Sequence, residues 1–142
     1  KSRLVNEGDF ILSNSMSFGR SYIMKLSACI YDGWLALKDF SPEVNKDFLY
    51  YLLSSEMVQA KFRSISAGSG VLNLKKESVS KVVLQIPLLS EQKRIAQILT
   101  ATDDEIDKLE HKLNILIFQK NYLLNNLITG TIRTPEKLST HN

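Results

Sequence analysis

The sequence predicts an α+β fold: a small domain with a short mixed sheet and a packed helix, followed by one long coiled-coil α-helix. Three observations carry that prediction. Apolar residues recur in alternating steps of four and three at Ile95, Leu99, Ile106, Leu109, Leu113, Leu116, Leu123 and Leu127, interrupted only by Thr102 and Lys120, a seam that requires a partner helix. Ahead of it, Gly8-Asp9-Phe10-Ile11-Leu12, Ser21 to Leu26 and Ala28 to Leu37 are β-branched, aromatic and aliphatic runs separated by turn residues. After Ser41-Pro42 the spacing turns helical, with Phe48, Leu49, Leu52, Leu53, Met57 and Phe62 on one face behind a cap at Asn45.

Each element has local punctuation. Asp32-Gly33 offers a hairpin turn between Tyr31 and Trp34. Asn14 to Arg20 is polar and reads as a surface loop, and Ser64 to Gly70 is small and polar. Val71 to Ile86 returns to strand-like runs, with Val82, Leu84 and Ile86 on one face before Pro87. Ser90 can cap a helix opening at Glu91, and Thr129-Gly130 supplies its stop. Such a helix would run on the order of 55 Å at about 1.5 Å per residue. The expected division is therefore residues 1–89 as a globular domain, 90–133 as the long helix and 134–142 as a flexible tail.

Composition narrows the function classes. With 142 residues and 44% hydrophobic content, one core plus an extended helix is the natural reading. The chain opens at Lys1, and no apolar run approaches about 20 residues, so no membrane span is predicted and a cytoplasmic location is expected. Cys29 is the single cysteine, too little thiol for a structural zinc site, and is expected to be buried as a small hydrophobe. Residues 1–90 carry eleven Lys and Arg against eight Asp and Glu, whereas 91–133 carry six of each. The net +3 thus resides in the globular part, a weak pointer to a polyanionic partner.

No reacting constellation emerges, so no catalytic residue, metal ligand or cofactor site is predicted. His111 falls in the long helix and His141 in the tail, leaving Cys29 without a local base. Gly68-Ser69-Gly70 lacks the Lys-Ser/Thr of a phosphate loop. Glu110-His111-Lys112 has a nuclease-like spacing but sits among heptads, where charged pairs ordinarily fill the exposed face.

From about Gly8 to Arg133 the chain resembles the carboxy-terminal half of a specificity subunit of a Type I restriction-modification system. The likeness is carried in order by Gly8 to Ser13 with Asn14 to Gly19, by Phe48-Leu49-Tyr50-Tyr51-Leu52-Leu53, and by Gly68-Ser69-Gly70. It continues through Ile86-Pro87-Leu88-Leu89-Ser90-Glu91-Gln92-Lys93-Arg94-Ile95 and Leu123-Leu124-Asn125-Asn126-Leu127-Ile128-Thr129-Gly130-Thr131-Ile132-Arg133. Family members often place more prolines between the Ile-Pro and the Glu-Gln. The segment before Gly8 is shorter than a whole recognition domain requires, so part of the DNA-reading surface is expected to be missing.

The resemblance implies a non-catalytic target recognition domain and a conserved helix. It implies double-stranded DNA as ligand, one half of a split site being read, and methyltransferase and restriction subunits as partners that hold the chemistry and any cofactor. Amide, hydroxyl and guanidinium groups are the usual base readers and ammonium groups the usual phosphate clamps. The loops then nominate Asn14, Ser15, Ser17 and Arg20, with Ser69, Asn73, Lys75 and Lys76.

The polar seam positions predict how the helix pairs. In a parallel homodimer Lys120 faces its own copy. In an antiparallel one crossing at His111, Leu99 meets Leu123, Ile106 meets Leu116, Leu113 meets Leu109 and Lys120 meets Thr102, so no like charges oppose. The matching helix of an amino-terminal half would be served by the same seam. The competing function is a truncated coiled-coil dimerisation or regulatory module without DNA reading of its own.

Overall fold

The computed structural model describes residues 2–15, 17–38, 40, 42–66 and 73–135. The chain divides into two units, residues 1–99 and 100–142.

In the first unit, β1 (Arg3–Val5) pairs with β4 (Ala28–Ile30), while β2 (Phe10–Ser13) lies between β3 (Ser21–Ile23) and β5 (Trp34–Leu37). Every pairing is antiparallel. Side chains alternate across a strand, and β2 exploits both faces. Phe10 and Leu12 are fully buried against Leu53, Val58, Phe62 and Leu74, whereas Ile11 joins Val5 and Ile30 in a second cluster. β5 repeats the division, with Leu35 and Leu37 packed on the first cluster and Trp34 and Ala36 on the second. Full burial of side chains such as Phe10 and Leu12 contributes about 1.5–3 kcal/mol each.

The Asp32-Gly33 turn does not make a hairpin. β4 pairs with β1 and β5 with β2, so the turn carries the chain from one sheet to the other. The reason lies in packing, because Ile30 completes the cluster with Val5 and Ile11 while Leu35 and Leu37 are needed on the opposite side. Cys29 is exposed rather than buried, since it alternates with Ile30 and sits opposite the exposed Leu4.

The single helix expected after Pro42 is two helices, α1 (Lys46–Ser54) and α2 (Glu56–Ser66). Asn45 does cap the first, its Oδ1 accepting from the Phe48 amide at 2.9 Å. Ser55 makes the break. Its backbone is extended, its hydroxyl donates to the Leu52 carbonyl at 2.6 Å, and its Oγ and carbonyl both receive the Val58 amide. A serine that competes for main-chain partners closes one helix and opens the next.

After α3 (Lys76–Val79), residues 82–88 form no strand. Val82 and Leu84 are half-buried on the core, as alternation predicts, but the Val83 carbonyl accepts from Lys61 Nζ at 3.1 Å instead of from a neighbouring strand. α4 (Leu89–Ile128) is a 40-residue helix. It opens on the Leu88 carbonyl, which receives the Glu91 and Gln92 amides, so Ser90 lies inside the first turn and does not cap it. Gly130, at φ +71°, ends it as expected, with its amide on the Leu127 carbonyl. Gln92 and Ala96 are its only buried residues.

Candidate nucleic-acid interface

The loop 14–20 joins β2 to β3 and is held at its root by Ser13 N–H donating to Arg20 O and Gly19 N–H donating to Ser13 O, both at 2.9 Å. Gly19 is buried at φ +73°, and Gln59 Nε2 donates to its carbonyl at 2.8 Å while also reaching Leu53 O at 2.7 Å. A Cβ at this position would stand 2.7 Å from Gln59 Oε1, so only glycine lets α2 grip the loop so closely.

Asn14 is a junction. Its Nδ2 donates to Asp32 O at 2.7 Å, its amide donates to Gly33 O at 3.1 Å, and its carbonyl accepts from Leu74 N–H at 2.8 Å. Three segments far apart in sequence, 14–20, 32–33 and 73–76, are thereby brought to one place. The Asn14 side chain is thus engaged with main chain. Ser15 is half-buried, while Ser17 and Arg20 are exposed on the same loop.

Across the Leu74 bond, Asn73, Lys75 and Lys76 are exposed, Lys75 immediately preceding α3. Arg20, Lys75 and Lys76 make no ion pair among the described residues, which leaves their charge available to a polyanion. Ser69 and the Gly68-Ser69-Gly70 motif lie outside the described residues, as do the last seven positions of the expected tail. Among the described residues no three His, Cys, Asp or Glu side chains gather as a metal site, and no described helix is long and apolar enough to cross a membrane.

The cleft beside the loop sets the predicted Arg20 among residues that were not among the sequence-predicted contacts. Phe18, Arg20, Ser21, Tyr22, Tyr50, Ser54 and Gln59 line about 420 Å³, and Tyr22 packs edge-on against Trp34 at 5.7 Å. Alternation along β3 could have nominated Tyr22, but no local pattern links it to Tyr50 or Gln59. Away from the cleft, the Asp9 carboxyl is held below its ordinary value of 3.8, first by the Asn6 amide, which donates at 2.9 Å, and then by Lys38 at 3.1 Å.

In the second unit the predicted seam is solvent-facing. Leu99, at the end of the first unit, and Ile106, Leu109, Leu113, Leu116, Leu123 and Leu127 are 36–57% exposed. Ile95 is half-buried, and Thr102 and Lys120 are exposed. Ile115, Phe118 and Tyr122, at steps of three and four, add a second exposed stripe on the opposite face of α4.

Comparison with known proteins follows the same lines. The family described as Type I restriction modification DNA specificity domain matches residues 1–119. The chain is 28% identical over 131 residues to the putative type I restriction enzyme MjaX specificity subunit of Methanocaldococcus jannaschii, covering 92% of this chain and 30% of that one. Against the type I restriction enzyme MjaVIII specificity subunit of the same organism it is 28% identical over 93 residues, covering 66% and 22%. A solved chain from work on complex assembly and conformational transition of the type I R-M system shares the fold, with a TM-score of 0.68 over 85% of this chain and 29% of that one at 20% identity. The chain thus spans less than a third of the relatives it matches.

Proposed function

The chain belongs to the Type I restriction modification DNA specificity domain family, and on that premise we propose that it reads one half of a split duplex site and gathers methyltransferase subunits along α4. It carries out no reaction itself; methyl transfer and cleavage belong to the partner subunits.

The observation that carries this reading is the family match across residues 1–119. The hydrogen bond from Leu74 N–H to Asn14 O supports it, because it joins the two loops that hold Ser17 and Arg20 on one side and Asn73, Lys75 and Lys76 on the other. Exposed guanidinium and hydroxyl groups beside paired ammonium groups suit base reading next to phosphate clamping. The half-buried Asn14 acts as the fastener of this surface rather than as a reader.

The exposed seam supports self-association. A helix pair crossing at His111 would hold two readers apart, and about ten base pairs of duplex span roughly 34 Å, within reach of a helix of this length. Lys120 facing Thr102 avoids opposed like charges, which favours the antiparallel arrangement.

Binding to mixed duplexes in the presence of the methyltransferase subunits, repeated across salt, tests the reading. Arg20→Ala is expected to weaken binding by about 1–3 kcal/mol and to relax preference at one base. Lys75→Ala and Lys76→Ala are each expected to flatten the salt slope by about 1 without changing base ranking. Salt-insensitive absence of binding would sink the proposal.

A further inference from the structure

We propose that Gln92 is a positioning residue that locks the root of α4, residues 89–99, against the lead into α1 and thereby sets the spacing between half-sites; the spacing claim rests on the function proposed above. Gln92 is 1% exposed, although it lies on a helix whose described residues are otherwise almost all at the surface. Its amide is fully used. Nε2 donates to Glu43 O at 2.9 Å and Pro87 O at 2.8 Å, and Oε1 accepts from Asn45 N–H at 2.9 Å.

These three partners are main-chain atoms from two places, the lead into α1 and the lead into α4. Asn45 is also the cap of α1, so a single carboxamide ties the first turn of α4 to the first turn of α1. Only one orientation of the amide satisfies all three bonds, because a flipped group would set donor against donor and acceptor against acceptor. Apolar packing is thin here: Leu88 is exposed, Leu89 and Ile95 are half-buried, Ala96 is the only fully buried apolar residue of α4, and a cavity of about 440 Å³ lined by Pro42, Glu43, Ile86, Pro87, Leu88, Leu89 and Gln92 opens beside the joint. The direction of the helix root therefore depends on the carboxamide.

A stiff helix converts a small angle at its root into a large displacement further on. From Gln92 to the proposed crossing at His111, a tilt of about 10° swings the helix sideways by roughly 5 Å, more than the rise of one base pair at about 3.4 Å, so each reader would meet the duplex at a shifted position. A loose root would leave base preference intact and blur the spacer.

Two readouts on the full chain with its methyltransferase subunits test this. Spin labels at the exposed Cys29 and at Gln97→Cys, both within the first unit, are expected to give a narrow distance distribution that broadens at least about twofold in Gln92→Met, folding being verified by circular dichroism. On duplexes of graded spacer length, the native chain is expected to prefer one spacer by about tenfold over its neighbours, and Gln92→Met to reduce that to within about threefold with the base ranking unchanged. If Gln92→Met does not fold, Gln92→Glu, which keeps the length and acceptor but loses both donors, carries the same two readings. A distribution that stays narrow in the folded variant overturns the inference whatever the DNA result. An unchanged spacer ranking overturns the spacing claim, and a native chain without sequence-dependent binding overturns the function beneath it.

Discussion

Residues 1–99 and residues 100–128 use their apolar side chains in opposite ways. The first unit folds β2 between two clusters, so that Phe10, Leu12, Val58, Phe62 and Leu74 lie almost entirely out of water. The second buries none of its described residues, and its leucines stand about half exposed along one helix face. A domain that satisfies its own apolar surface is stable at any concentration, whereas a lone helix seam gains its stabilisation only on association. The single tryptophan, Trp34, lies in the first unit, so its fluorescence reports that unit while helicity reports α4 as well.

The largest expected effect comes from the seam. In the proposed homodimer Leu113→Asp changes both copies and is expected to cost at least about 3 kcal/mol of association, about a hundredfold in the dissociation constant. Sedimentation should show monomer while the Trp34 unfolding midpoint stays put. A variant that remains dimeric would remove this seam as the interface.

Phe62→Ala should act on the other unit. Truncating a buried phenylalanine costs about 3–5 kcal/mol, read as a lower urea midpoint of Trp34 fluorescence. If α4 association weakens equally in the same variant, the two units are not energetically separate.

Thr102→Glu sharpens the comparison within the seam. Opposite Lys120 in an antiparallel pair it should strengthen association by about 0.2–1 kcal/mol per contact, whereas in a parallel pair two glutamates would oppose each other and weaken it. The sign of the change in dimer dissociation therefore distinguishes the two arrangements.

The smallest effect concerns Asp9, whose carboxyl is held below 3.8 by the Asn6 amide and then Lys38. A carboxylate with a lowered folded-state pKa stabilises the fold above its unfolded value and loses that contribution as pH falls through the folded value. The urea midpoint of the first unit is expected to decline as pH drops from 3.8 downward, and Asp9→Asn to remove that part of the decline. An identical pH profile in the variant would discount the contact.

What could be read in advance was local. The heptad steps from Ile95 to Leu127 specify α4, Asn45 caps α1, Gly130 stops α4, and the run Phe10-Ile11-Leu12 marks the central strand, because a cap or a period depends on neighbours a few residues away. The hairpin at Asp32-Gly33 and the strand at 82–86 were misread for the same reason. Turn residues and alternation are local, but which strand accepts a partner depends on where Val5, Ile11 and Ile30 find one another. Of the interface candidates, Arg20, Lys75 and Lys76 were legible as exposed cations, while the engagement of Asn14 with Asp32, Gly33 and Leu74 was not.

The sequence by itself determined the α+β class, the long helix with its seam and its stop, and the family likeness, all properties written in order along the chain. Only the tertiary structure decided that β2 serves two clusters, that Ser55 splits one helix into two, that Asn14 joins three distant segments, and that Gln92 ties α4 to α1. Those outcomes turn on main-chain donors and acceptors that must find partners once buried, and such partners lie as far as 49 residues away in the chain.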